Sequence, residues 1–227
     1  MSIWAVVPAK DFATAKQRLV AVLSPDERRT LFRAMFVDVL TALGRVNGLA
    51  GILVVTRDSE AAALAQAHGA QVLEEPANRG QSAAVTTAAE HLAAQGASGL
   101  LQLPGDLPLV TPVEVGIVLR AHRRGPSMTI VPAHDGRGSN CILLSPPDAV
   151  PFQFGNDSFR PHLAVAAERG IEPTVVRLPG IGLDIDTPAD LLALIGRPAE
   201  TGAHRYLVES GIAERLTGGG VLTMSVG

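Results

Sequence analysis

Short apolar runs alternate along this chain with longer stretches of helical period, and that alternation constrains the fold more than any other feature. The first run, residues 3–8 (I-W-A-V-V-P), has the unbroken apolar character of a strand buried on both faces. Ser24-Pro25 then opens a helix with a Ser N-cap and Pro in the first turn. Leu31, Met35, Val39 and Leu43 form its apolar stripe, and Gly44 ends it. Further strands are predicted at 51–56, 71–73 and 100–103, with an Ala-rich helix capped by Asp58 and stopped by Gly69, and another helix at 82–95. Thr111-Pro112-Val113-Glu114 reads as a capping box. Residues 128–132 and 141–145 flank a Gly-rich turn, as a hairpin does. A helix at 158–169, a strand at 174–178 and a last core helix begun by Thr187-Pro188 follow. Strand–helix alternation implies parallel βαβ units with helices on both faces, and the hairpin adds one antiparallel strand. The expected class is therefore α/β, a mostly parallel sheet with helices on both faces. Ligands of such sheets bind beyond the carboxyl ends of the strands, so the loops there are where chemistry belongs.

The chain has 227 residues, enough for one domain with a full core. We expect that domain to span residues 1–197, with 198–227 as a less regular C-terminal extension, flexible at its end beyond Gly218-Gly219-Gly220. A formal net charge of -3 argues against a nucleic-acid surface or a polybasic membrane patch. No apolar run approaches the roughly 18 residues that span a bilayer. The single cysteine, Cys141, has no partner for an internal disulfide, and the apolar N-terminus is short and lacks a basic leader. A cytoplasmic protein is the expectation.

Five segments carry candidate chemistry. The first, V-P-A-K-D-F-A-T-A-K-Q-R-L over residues 7–19, places Lys10, Lys16 and Arg18 just past a strand end. A triphosphate needs such a cluster to offset its charge, although a solvated basic loop would read the same from spacing alone. It is not a Walker A loop. The second, P-G-D-L-P-L-V over 104–110, puts Asp106 where a strand end could hold Mg2+; a plain turn aspartate is the alternative. In the third, G-L-D-I-D-T-P over 182–188, Asp184 and Asp186 alternate along a strand and share a face. Neighbouring carboxylates repel unless a cation lies between them, so a metal is expected there, and removing one charge should cost the fold little. Capping of the next helix is the rival role for one of them, with Thr187 as a competing cap. The fourth, N-R-G-Q-S-A-A-V over 78–85, sets Gly80 just before a helix N-terminus, where a ligand can approach the backbone. The fifth combines G-R-G-S-N-C over 136–141 with F-G-N-D-S-F over 154–159, small and amide side chains near turns. The six histidines show no metal-ligand spacing, and most are expected on exposed helix faces. Neither a G-x-S-x-G elbow nor a nucleophilic cysteine context is present.

Taken together and in order, these motifs resemble the guanylyltransferases of deazaflavin-coenzyme (coenzyme F-420) biosynthesis, which act on 2-phospho-L-lactate or phosphoenolpyruvate. The likeness runs over residues 3–194 and is carried by V-P-A-K-D-F-A-T-A-K-Q-R-L with L-S-P-D-E-R, P-G-D-L-P, F-G-N-D-S and L-D-I-D-T-P. It implies the nucleotide-diphospho-sugar transferase fold, a Rossmann-like sheet, and transfer of GMP from GTP to a small phosphorylated carboxylic acid, with release of pyrophosphate. By the same resemblance Asp106, Asp184 and Asp186 would bind Mg2+, two ions being the economical arrangement for an in-line displacement. Asn140, Gly155 and Ser158 would contact the acid. Lys10 and Lys16 would face the triphosphate, with Asp106 beside them in catalysis. Pro8, Ala9, Arg18, Gly80 and Gln81 would complete the nucleotide side. At the base the chain departs from the family's G-L-N-x-A and reads Gly80-Gln81-Ser82-Ala83-Ala84. The acceptor stays open among phosphoenolpyruvate, 2-phospho-L-lactate and 3-phospho-D-glycerate, and a homo-oligomer is compatible with the sequence. Molybdopterin and isoprenoid-precursor nucleotidyltransferases usually carry L-A-A-G-x-G-x-R after the first strand, which this chain lacks. A non-catalytic nucleotide-binding protein is the alternative from another class.

Overall fold

The computed structural model describes residues 2–75, 80–155, 157–197 and 199–218. Its elements run β1 (Ile3–Pro8), α1 (Pro25–Gly44), β2 (Leu49–Thr56), α2 (Ser59–Ala67), β3 (Gln71–Glu74), α3 (Gln81–Ala94), β4 (Gly99–Gln102), α4 (Pro112–Ala121), β5 (Ser127–Pro132), β6 (Ser139–Ser145), α5 (Phe159–Glu168), β7 (Thr174–Val175), α6 (Pro188–Ile195), α7 (Gly202–Glu209) and α8 (Ile212–Thr217). The strands form a seven-stranded sheet in the order β3-β2-β1-β4-β6-β5-β7. β6 is antiparallel to both β4 and β5, whereas the β1–β2, β1–β4, β2–β3 and β5–β7 pairs are parallel. The expected α/β sheet with one antiparallel strand is what forms.

Alternation along β1 sorts its side chains between two apolar layers, as a two-residue period must. Ala5 and Val7 join the layer under α1, α2, α4, α6, α7 and α8. Val6 faces the other way, toward α3 and α5. α1 starts with a complete Ser24/Glu27 capping box and buries its whole Leu31, Met35, Val39 and Leu43 stripe.

Three expectations need correction. The box at α4 is half formed. Thr111 accepts the Glu114 N–H at 3.2 Å, but the Glu114 carboxylate turns away to accept the Gly180 N–H at 2.8 Å and the Ile181 N–H at 3.0 Å. That clamp explains the second correction: β7 is Thr174–Val175 rather than 174–178, because the chain is drawn off the sheet edge toward α4. Only glycine fits at 180, since a Cβ there would collide with the Leu109 carbonyl and the Glu114 side chain. Third, residues 202–217 are not irregular. Asp38 of α1 accepts the Gly202 and Ala203 N–H groups at 2.7 and 2.8 Å, and Ala203, Leu207 and Ile212 are fully buried in the core shared with α1. The tail after residue 218 lies outside the described residues.

Candidate active site

The basic loop after β1 is anchored by one aromatic residue. The Phe12 N–H donates to Asp58 Oδ2 at 2.8 Å, while the same carboxylate caps α2 through the Glu60 and Ala61 N–H groups. The Phe12 ring is buried edge-on against Phe32 and Phe36, with centroids 5.1 and 5.6 Å away. With Phe12 fixed, the chain turns back through Lys16, a non-glycine residue in the left-handed region (φ 57°, ψ 43°). Such a conformation costs on the order of 1–3 kcal/mol and persists only where the surroundings enforce it.

What enforces it is an ion cluster around the buried Lys16 ammonium. Lys16 Nζ donates to Asp106 Oδ2 and, at 2.8 Å, to Asp186 Oδ1, and its side chain is only 4% exposed. Burial alone would lower the Lys16 pKa, but the charges of Asp106 and Asp186 outweigh it and hold the ammonium above its ordinary value. Asp186 shows the mirror image. Burial would raise it, yet Lys16, with Arg18 and Lys10 further off, keeps it below the usual carboxylate range. Arg18 Nη1 lies 3.6 Å from Asp186 Oδ2. Asp184 is raised by burial and by the charge of Asp106. Asp184 and Asp186 lie on an extended segment rather than in a strand; Ile185 between them donates its N–H to the Asp106 carbonyl at 3.3 Å. Neither caps α6, because Thr187 and Asp190 form that capping box by themselves. Both carboxylates are thereby left for the site.

A cleft of about 360 Å³ opens at the carboxyl edge of β1, β2 and β4. Pro8, Ala9, Lys10, Lys16, Arg18, Gly80 and Gln81 all line it, together with Asp106 and Asp186. The anticipated nucleotide side is thus gathered into one cavity, with its three cations and two carboxylates at one end. Asn78 and Arg79 of the same motif lie outside the described residues.

Asp184, Asn140, Gly155 and Ser158 do not line that cleft. The β5–β6 pairing slips by one residue after Val131↔Cys141, so that Pro132 pairs with Ser139 and Asn140 is the extra residue of a bulge. Bulges re-aim side chains, and this one sends neighbours to opposite faces. Asn140 Nδ2 donates to Asp184 Oδ1 and to the Ile181 carbonyl, both at 3.0 Å. Ser139 turns the other way: its N–H donates to Ser158 Oγ at 2.9 Å and its hydroxyl meets His162 Nδ1 at 3.0 Å. His162 Nε2 accepts the Gln153 N–H at 2.8 Å, which assigns the ring proton to Nδ1. The Phe154 N–H reaches Ser82 Oγ at 2.8 Å, tying this loop to the start of α3 beside the cleft. Gly155 is exposed, and Asn156 lies outside the described residues. Asn140 and Ser158 therefore stand on two sides of one bulge.

Among the described residues, no three His, Cys, Asp or Glu side chains form a set that could hold a metal ion. The sequence places a cation between Asp184 and Asp186; in the structure the Lys16 ammonium lies between Asp106 and Asp186. Asp106 Oδ1, however, is buried without a hydrogen-bond partner. Mg2+ commonly takes one or two carboxylates and completes its shell with phosphate and water. An unpaired carboxylate oxygen at Asp106, with Asp184 nearby, fits that requirement.

Sequence reasoning misses several residues that build this site. Glu114 is hidden inside a motif that already accounts for it, and Phe12 reads as part of a polar loop. The histidines are also misjudged, since His134 alone among them is exposed. His162 holds the bulge, while the half-buried His122 packs against the hydroxyls of Ser127, Thr129 and Ser145. Burial lowers both their pKa values to about 4.

Known proteins resemble this chain in sequence and in fold. The profile of a family described as "Guanylyl transferase CofC like" matches residues 3–226. A phosphoenolpyruvate guanylyltransferase of Conexibacter woesei is 40% identical over 195 residues, covering 86% of this chain and 87% of the relative. A 3-phospho-D-glycerate guanylyltransferase of Colwellia psychrerythraea is 37% identical over 85% of this chain and 92% of its own length. A 2-phospho-L-lactate guanylyltransferase of Methanothermobacter thermautotrophicus is 33% identical, with coverage of 91% and 90%. Among solved structures, a Desulfovibrio desulfuricans G20 protein described as a candidate nucleotide-diphospho-sugar transferase superposes with a TM-score of 0.77 at 18% identity, over 95% of this chain and 99% of that one. That likeness gives the fold.

Proposed function

This chain belongs to the family of CofC-like guanylyl transferases, and from that membership we propose that it transfers GMP from GTP to a small phosphorylated carboxylic acid. Phosphoenolpyruvate, 2-phospho-L-lactate and 3-phospho-D-glycerate are the candidate acceptors, in deazaflavin coenzyme F-420 biosynthesis. The observation that carries the reading is the cleft that unites Lys10, Lys16 and Arg18 with Asp106 and Asp186. A phosphate oxygen of the acid attacks the α-phosphorus; the new P–O bond forms as the α–β bond breaks, and pyrophosphate departs with the electron pair. Both reactants are anions, so the barrier is largely electrostatic and positional. Lys10 and Arg18, exposed at the cleft, bind the leaving phosphates. Lys16, held charged, supplies a fixed positive group where charge develops. No protein nucleophile is required, because the acceptor phosphate is already ionised.

Asp106 and Asp184 would hold Mg2+, which when bound would offset charge on the reacting phosphates. Asn140 links Asp184 to the bulge, and Ser158 on its other side would offer a hydroxyl to the acid. A matrix of GTP, ATP, CTP and UTP against the three acids, read by product mass, tests the proposal. We expect one dominant guanosine product with equimolar pyrophosphate; dominant use of CTP or UTP would end the guanylyltransferase reading.

A further inference from the structure

The cations of the cleft crowd one end, and the other end is built differently. Along the carboxyl edge the strands follow one another as β3, β2, β1 and β4. Asp106 follows β4, while Glu75 follows β3 and extends its pairing by donating its N–H to the Thr56 carbonyl at 3.2 Å. Three inter-strand steps of about 4.8 Å separate those ends by roughly 14 Å. Among the described residues, the lining near β3 comes from Val55, Glu75, Gly80, Gln81 and Ala84, with no Lys or Arg. A nucleoside triphosphate with its phosphates on Lys16 must lay its uncharged, flat base at this end.

Two features there have no partner among the described residues. Glu75 Oε1 is shielded from solvent and makes no hydrogen bond. The N-terminus of α3 starts at Gly80 (φ 91°), and no side chain caps it. A buried carboxylate oxygen is costly to leave unpaired, and uncapped helix N–H groups seek an acceptor. Guanine offers the matching edge, with N1–H and N2–H2 as adjacent donors and O6 as acceptor. Adenine and cytosine each place a ring acceptor next to their amino group, and uracil has one N–H between two carbonyls. A carboxylate can take two parallel donors only from guanine.

We infer that Glu75 is the residue that reads guanine, accepting N1–H and N2–H2 while the start of α3 donates to O6. The inference rests on the nucleotidyltransferase reading, but it concerns recognition rather than turnover. A site built to hydrogen-bond a group rejects analogues that lack it. Inosine triphosphate is GTP without the 2-amino group, so it isolates one of the two bonds.

The test is calorimetric titration of GTP, ITP and ATP into the full chain with Mg2+ and no acceptor, for the wild type and Glu75→Gln. The wild type should bind GTP about tenfold or more tightly than ITP, since a hydrogen bond to a charged group is lost. Glu75→Gln keeps the size but presents an NH2 to one guanine donor. It should weaken GTP by about ten- to a hundredfold and bring the GTP/ITP ratio near one, with an unchanged melting temperature. A wild type that binds GTP and ITP equally, or a variant that keeps the wild-type ratio, would overturn the assignment. Turnover is read separately in the nucleotide–acid matrix. Guanine-selective binding without pyrophosphate release would sink the catalytic proposal and leave Glu75 in place.

Discussion

Asp106 uses one carboxylate oxygen on Lys16 and keeps the other buried and unpaired. Asp106→Asn therefore tests two roles at once. Under the proposed mechanism it removes charge beside the reacting phosphates, and kcat/KM should fall by about a hundredfold or more. The fold should also suffer, because a buried ammonium loses a charged partner, a loss of about 1.5–3 kcal/mol. Pyrophosphate release and thermal melting without metal measure the two; unchanged turnover would remove Asp106 from the chemistry. Sequence reasoning sees two carboxylate motifs that repel and expects the loss of one charge to cost the fold little. The error is specific. Lys16 is legible as a cation near a strand end, but its place between Asp106 and Asp186 depends on a left-handed turn that nothing in A-T-A-K-Q announces. That turn in turn depends on Phe12, whose burial is tertiary.

At the scale of elements, strands and caps are legible wherever local period and local chemistry agree. α1, with Ser24-Pro25 and its four-residue stripe, is the clearest case. They fail where a side chain is recruited from afar. Glu114 has two readings, as the third residue of a capping box and as a clamp on the 179–181 loop, and only the packed molecule chooses. The choice matters because the Ile181 carbonyl that this clamp positions also receives Asn140, which in turn holds Asp184. Glu114→Gln retains one acceptor and leaves Gly180 or Ile181 without its partner. We expect a loss of about 1–3 kcal/mol from thermal melting, with the acceptor KM raised more than the GTP KM. Equal KM values in variant and wild type would confine Glu114 to stability. The bulge at Asn140 is equally silent in sequence, since an extra strand residue has no local signature in G-S-N-C.

For the whole molecule, the half-buried imidazole of His122 and the buried one of His162 contribute to the response to acid. Both titrate near 4 when folded, against 6.5 when free. The unfolded chain therefore takes up protons that the folded chain refuses. Their contribution is full above about 6.5 and is lost as pH falls from there toward 4. Melting at pH 7 and pH 5 should show a drop for the wild type and a smaller one for His162→Gln, which cannot titrate. Parallel curves for the two proteins would show that the ring is not buried neutral in solution. The C-terminal helices carry a different lesson about legibility. Their sequence lacks a long apolar period, and they hold to α1 through Asp38, a contact across 164 positions of the chain. The lone reversed strand, β6, has a consequence for how such a molecule diversifies. Both ends of the β5–β6 hairpin, at Ser127 and Ser145, leave from the edge opposite the cleft, and only its turn, with Ser139 and Asn140, reaches the chemistry. Under the proposed function the hairpin is a cassette whose splice points lie away from the cleft, so the surface that would face the acid can be exchanged while the residues that would handle the nucleotide stay as they were.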